Sequence, residues 1–73
     1  MGFDLKIREI RIKCLLSQAD FAKKIGVSFS TVNRWENNKA VPNYQTLTKI
    51  KNFCISEGLT FEYEHVEDNN ENN

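Results

Sequence analysis

From residue 4 to about residue 56, apolar positions recur every three or four residues, and the breaks between them fall at residues suited to starting or ending helices. Leu5, Ile7, Ile10 and Cys14 predict a first helix over about 4–15. Ser17 precedes a second apolar run with Asp20 three places on, a capping-box start in which Asp replaces the usual Glu or Gln. Phe21, Ala22 and Ile25 share one face of that helix, about 18–25, and Gly26 ends it where positive φ is wanted. Ser28 suits the cap of a third helix, about 29–36, with Val32 and Trp35 inward and Phe29, Ser30, Asn33 and Arg34 outward. Residues 37–41 form a polar loop. Pro42 cannot lie inside a helix, but Asn43 after it can cap a fourth, from 44 to about 56. Leu47, Ile50, Phe53 and Cys54 are its inward stripe, and Gly58 its stop.

After Gly58 the period changes. Leu59, Phe61, Tyr63 and His65 alternate with Thr60, Glu62, Glu64 and Val66, which predicts a strand over 59–66 with one largely apolar and one charged face. A lone strand leaves its ladder unpaired, and the sequence offers no second one. Two readings stay open: pairing with a second copy through Leu59, Phe61 and Tyr63, which is favoured, or an arm laid over the chain's own helices. Residues 67–73, EDNNENN, read as a frayed polar tail. The expected fold is all-α: a compact helical domain over 1–58, then a short C-terminal strand or extended arm over 59–73.

Residues 17–42 carry the most information. Two short helices meeting steeply across a Gly-containing turn form a helix-turn-helix, whose second helix fits the DNA major groove. Gln18, Ala22, Gly26, Val32 and Trp35 stand at the spacing of the Cro/lambda-repressor-like, or XRE-type, family, which this segment resembles. The likeness extends to Ile7, Ile10 and Arg11 before it and to Glu36, Pro42, Leu47 and Ile50 after it. Two positions depart from the pattern. Asn38 stands where a Gly often ends the recognition helix, and Asn tolerates left-handed backbone nearly as well. Phe29 replaces a frequently polar base reader. The resemblance implies four or five helices, the extra one short and within 53–58. It also implies Cro-like dimers and an Arg11–Glu36 ion pair tying the first helix to the end of the third.

The net charge of zero conceals an asymmetry. All ten Lys and Arg lie within 1–58 against five acids, giving +5, while 59–73 holds five acids and no Lys or Arg, giving −5 with His65 neutral. The basic part suits a phosphate backbone. At 40% hydrophobic the chain is folded over most of its length, and at 73 residues it holds one small core. Cys14 and Cys54 fall at helical core spacing and form no CxxC pair, so they read as small buried hydrophobes, with no metal site and no cofactor. No apolar run reaches membrane-spanning length and MGFDLKIREI lacks a signal-peptide core, so the expected location is the cytoplasm. A lone His65 without a nucleophile or carboxylate constellation argues against an enzyme.

Phe29, Ser30, Asn33 and Arg34 are the expected base readers: Arg34 toward guanine, Asn33 toward adenine or the backbone, and Phe29 toward a thymine methyl or a neighbouring side chain. Expected phosphate contacts are Gln18 at a helix N-terminus, Ser28, Asn37, Lys39, Asn43 and Tyr44. For Ser28 capping is the first reading; for Asn43 and Tyr44 capping and packing weigh equally. The resemblance further implies that Gln18 braces a reading residue. The expected function is a transcriptional regulator, a small repressor acting as a homodimer on a pseudo-palindromic duplex operator. The rival is an antitoxin or other protein-interaction module on the same fold, with a toxin as partner.

Overall fold

The computed structural model describes residues 2–61. Its four helices are α1 Phe3–Lys13, α2 Gln18–Ile25, α3 Phe29–Glu36 and α4 Tyr44–Ser56. Among the described residues there is neither a strand nor a fifth helix. Tyr63, most of the 59–66 segment and the tail lie outside the described residues.

The helix starts follow from side-chain capping. Ser17 Oγ accepts the Asp20 amide at 3.0 Å, Ser28 Oγ the Thr31 amide at 3.1 Å and Asn43 Oδ1 the Thr46 amide at 2.9 Å, each serving an amide of the first turn, and the Thr31 amide also reaches the Ser28 carbonyl at 3.1 Å. The four helices also end alike. A residue with positive φ turns the chain, and the next amide returns to a carbonyl five residues back. Gly26 (φ 87) and Gly58 (φ 74) do this for α2 and α4, the returning bonds being Val27 N to Ala22 O and Leu59 N to Cys54 O. Asn38 (φ 59) closes α3 in place of a glycine, with Lys39 N donating to Arg34 O at 2.8 Å. Leu15 (φ 58) closes α1, with Leu16 N donating to Arg11 O at 3.1 Å. A leucine there crowds its own Cβ against the backbone, at about 1–2 kcal/mol for left-handed geometry, and its side chain is 91% exposed.

The core collects Phe3, Ile7 and Ile10 from α1, Phe21, Ala22 and Ile25 from α2, Val32 and Trp35 from α3, and Leu47, Ile50 and Cys54 from α4. Cys14, expected as a small buried hydrophobe, is only half-buried at the end of α1 and stands outside the core, and one apolar position of the predicted helix faces outward. Leu5 is half exposed. The buried stripe of α1 runs Phe3, Ile7, Ile10, spaced by four and three, and Leu5 stands about 200° from both Phe3 and Ile7 at about 100° per residue. The helix accordingly begins one residue earlier than the periodicity predicts, and Phe3 meets the Trp35 ring edge to face at 5.8 Å. Phe53 is half buried and packs edge to face on Phe21 at 5.6 Å.

Both cysteines are free thiols. Cys54 is fully buried, and burial, with a smaller contribution from Cys14, pushes its thiol up to about 11. After Gly58, Leu59 and Phe61 lean on the core of their own chain. The reason is local: the turn at Gly58 sends the chain back toward the helices it has just left.

Candidate nucleic-acid interface

The α2–turn–α3 unit is held from beneath by one buried charge. The Glu36 side chain is 1% exposed at the end of α3. Arg11 of α1 donates to it twice, Nε to Oε2 at 2.6 Å and Nη2 to Oε1 at 3.0 Å, and turns Nη1 to the Leu16 carbonyl at 2.9 Å. This forked geometry fixes direction as well as charge. Arg8, one turn earlier on α1, stands with Nε 3.5 Å from Oε1. Burial alone would raise the Glu36 carboxyl. The bonds from Arg11 and Gln18 and the attraction of Arg11 and Arg8 outweigh it and hold the group below the ordinary carboxylate range. The same bond raises Arg11.

Glu36 also sets the orientation of three amides in series. A carboxylate only accepts, so Gln18 must present Nε2 to Oε1, as it does at 3.0 Å. Its Oε1 therefore faces α3 and accepts Asn33 Nδ2 at 3.1 Å. Asn33 Oδ1 is then left to accept Asn37 Nδ2 at 3.1 Å, and the same Asn37 nitrogen donates to the Asn33 carbonyl at 2.9 Å. Nothing in the pattern of apolar positions marks this relay, which depends on side-chain reach between helices. Arg8 was likewise missed, although it lies one turn from Arg11 on the same helix.

The expected base readers divide. Phe29, Ser30 and Arg34 are exposed, and among the described residues nothing engages the Arg34 guanidinium. Asn33 is half buried and braced from both sides, keeping one amide hydrogen and one carbonyl lone pair for an outside partner. Asn33, Arg34, Asn37 and Lys39 together line an open cleft beside the end of α3.

The expected phosphate contacts divide as well. Gln18 is at the N-terminus of α2, with its amide committed to Glu36 and Asn33. The Asn37 amide is occupied by Asn33, so a phosphate would have to displace it. Ser28 and Asn43 are helix caps, and Ser28 Oγ also shares a 2.9 Å hydrogen bond with Thr31 Oγ1. Lys39 is exposed just past α3, and Tyr44, 71% exposed, opens α4.

A family model described as helix-turn-helix matches residues 7–54, taking in α2, the turn, α3 and the Arg11–Glu36 pair. The chain belongs to the XRE-type helix-turn-helix family. It is 43% identical over 47 residues to multiprotein-bridging factor 1c of Arabidopsis thaliana, an alignment covering 64% of this chain and 32% of that protein. The chain thus spans about a third of that relative's length. No solved structure matches it significantly. As a member of the helix-turn-helix family the chain is a DNA-binding regulator in general terms, and α3 is the second helix of the motif. Among the described residues no helix is long and apolar enough to cross a membrane.

Proposed function

We propose that the chain is a sequence-specific regulator that reads duplex DNA by laying α3 in the major groove, and that it acts as a small repressor. The observation that carries this reading is the contrast between the two sides of α3. Its inner side is fixed by Val32, Trp35 and the buried Glu36, while its outer side presents Phe29, Ser30 and an unengaged Arg34. A recognition surface needs that combination of fixed direction and free donors. Arg34 offers paired donors to guanine O6 and N7, Asn33 its remaining amide hydrogen and lone pair to adenine, and Phe29 an apolar contact to a thymine methyl.

Lys39 and Tyr44, with the N-termini of α2 at Gln18 and of α4 at Asn43, supply the backbone contacts that set register. An eight-residue α3 is about 12 Å long and touches few base pairs, so two copies on a pseudo-palindrome, with recognition helices about 34 Å apart, complete the reading. The cytoplasm is the compartment this reading assigns. Selection from a random duplex library tests it. A recurrent two-fold-symmetric site supports the proposal, and recovery of unrelated sequences at equal affinity overturns it.

A protein-interaction role, including that of an antitoxin binding a toxin, is the second reading. The relative's name, which speaks of bridging several proteins, favours it, and binding to DNA is compatible with it. Specific capture of a protein partner by a variant that no longer binds DNA would separate the two roles.

A further inference from the structure

The outward face of α4 carries a groove lined by Tyr44, Leu47, Thr48, Lys51, Ile55 and Phe61. Tyr44 and Ile55 are 71% and 62% exposed, an uncommon pair of large apolar groups along one helix face. Phe61, the last described residue, is itself part of the wall, so the chain enters this groove where its description stops.

We propose that the acidic segment 62–68 of the same chain docks in this groove and shields the start of α4. Three observations fix the occupant. The first is continuity, because Phe61 is already in place and Tyr63 and Val66 follow it as the next large apolar residues. The second is reach. Residues 62–67 in extended form cover about 20 Å at about 3.3 Å each, and thirteen-residue α4 is also about 20 Å long. The third is charge. Lys49 and Lys51 are the only charged residues of α4, and Lys51 lines the groove, whereas 62–68 carries Glu62, Glu64, Glu67 and Asp68 and no Lys or Arg.

The consequence for DNA rests on the proposed function, in which Tyr44 touches phosphate. A docked acidic segment beside Tyr44 competes with the backbone for that end of α4. Affinity is then set partly by the chain's own segment.

The test uses the full chain and needs no DNA for its first arm. Isotope-labelled protein mixed with unlabelled protein separates contacts within one chain from contacts between copies. The expected result is intramolecular nuclear Overhauser contacts from Tyr63 or Val66 to Thr48 or Ile55, lost in Tyr63→Ser/Val66→Ser. Random-coil shifts for 62–68 without such contacts overturn the proposal. Contacts between copies overturn it too, in favour of a second copy as occupant.

The second arm measures duplex affinity of the same variant, which leaves net charge unchanged. A gain of about two- to fivefold is expected if a weak surface dock is released. Unchanged affinity, with DNA binding intact and the intramolecular contacts present, removes the competitive role but leaves the dock. Absence of all DNA binding refutes the proposed function alone, because the first arm does not depend on it.

Discussion

Replacing Arg11 by Ala removes two charge-assisted hydrogen bonds, at 2.6 and 3.0 Å, from a carboxylate that is 1% exposed. Breaking a buried pair from one side costs about 3–5 kcal/mol, because the remaining charge stays in a poor environment. Here Glu36 keeps the Gln18 amide at 3.0 Å and a half-exposed Arg8 at 3.5 Å, which lowers the expectation to about 2–4 kcal/mol. A chain of this size has about 4–11 kcal/mol of stability in total. At about 4–8 °C per kcal/mol for such a domain, Tm should fall by roughly 8–32 °C. The cost should also depend on pH. Glu36 is held below the ordinary carboxylate range, so the pair's contribution is complete above about pH 4.3 and is lost as pH falls through the lower folded value. In Arg11→Ala the buried carboxylate has lost its main partner, so protonating Glu36 as pH falls relieves the variant while it removes the pair's contribution from the wild type, and the two converge in acid. Thermal melts followed by far-ultraviolet circular dichroism at pH 7 and pH 3 measure both effects. A variant melting within about 2 °C of wild type, or a gap unchanged between the two pH values, would refute the reasoning.

Ile50→Ala empties a site with no solvent exposure and should cost about 2–5 kcal/mol in chemical denaturation; an unchanged midpoint would remove Ile50 from the core. Leu15→Gly relieves a left-handed leucine whose side chain is 91% exposed, and should raise stability by about 1 kcal/mol despite the added freedom of the unfolded chain; a lower Tm would show that Leu15 is not strained. The Cys54 thiol, raised to about 11 when folded, favours the native state below the ordinary thiol value of about 8.5, and that contribution fades as pH rises toward 11. Cys54→Ala should lose less stability than wild type between pH 8.5 and 11, and parallel losses would contradict the burial argument.

Much of the fold is legible in the sequence because it rests on local rules. Three caps and three helix stops, at Gly26, Asn38 and Gly58, stand at residues whose chemistry requires those roles. What periodicity misjudged was α1, where Leu5 and Phe3 compete for the inner face and only packing against Trp35 decides between them. Leu15 was invisible as a helix stop because leucine has no intrinsic reason to take positive φ; the geometry is imposed by the return bond of Leu16. The segment after Gly58 alternates like a strand, yet Leu59 and Phe61 rest on their own core, since alternation says which side chains share a face and not what covers it. For the recognition surface, exposure of Phe29, Ser30 and Arg34 follows from helical spacing. The relay from Glu36 through Gln18 and Asn33 to Asn37 does not, because it is written in contacts 15 and 18 residues apart along the chain.

In the proposed function Arg34 reads a base from the major groove. The most direct measurement pairs Arg34→Ala with 7-deazaguanine, which lacks the N7 acceptor, placed in turn at each guanine of a selected duplex. Base reading by Arg34 predicts one position per half-site at which the modified base weakens wild type by about 1–3 kcal/mol and leaves Arg34→Ala unaffected. Equal losses for both proteins at every guanine would contradict it.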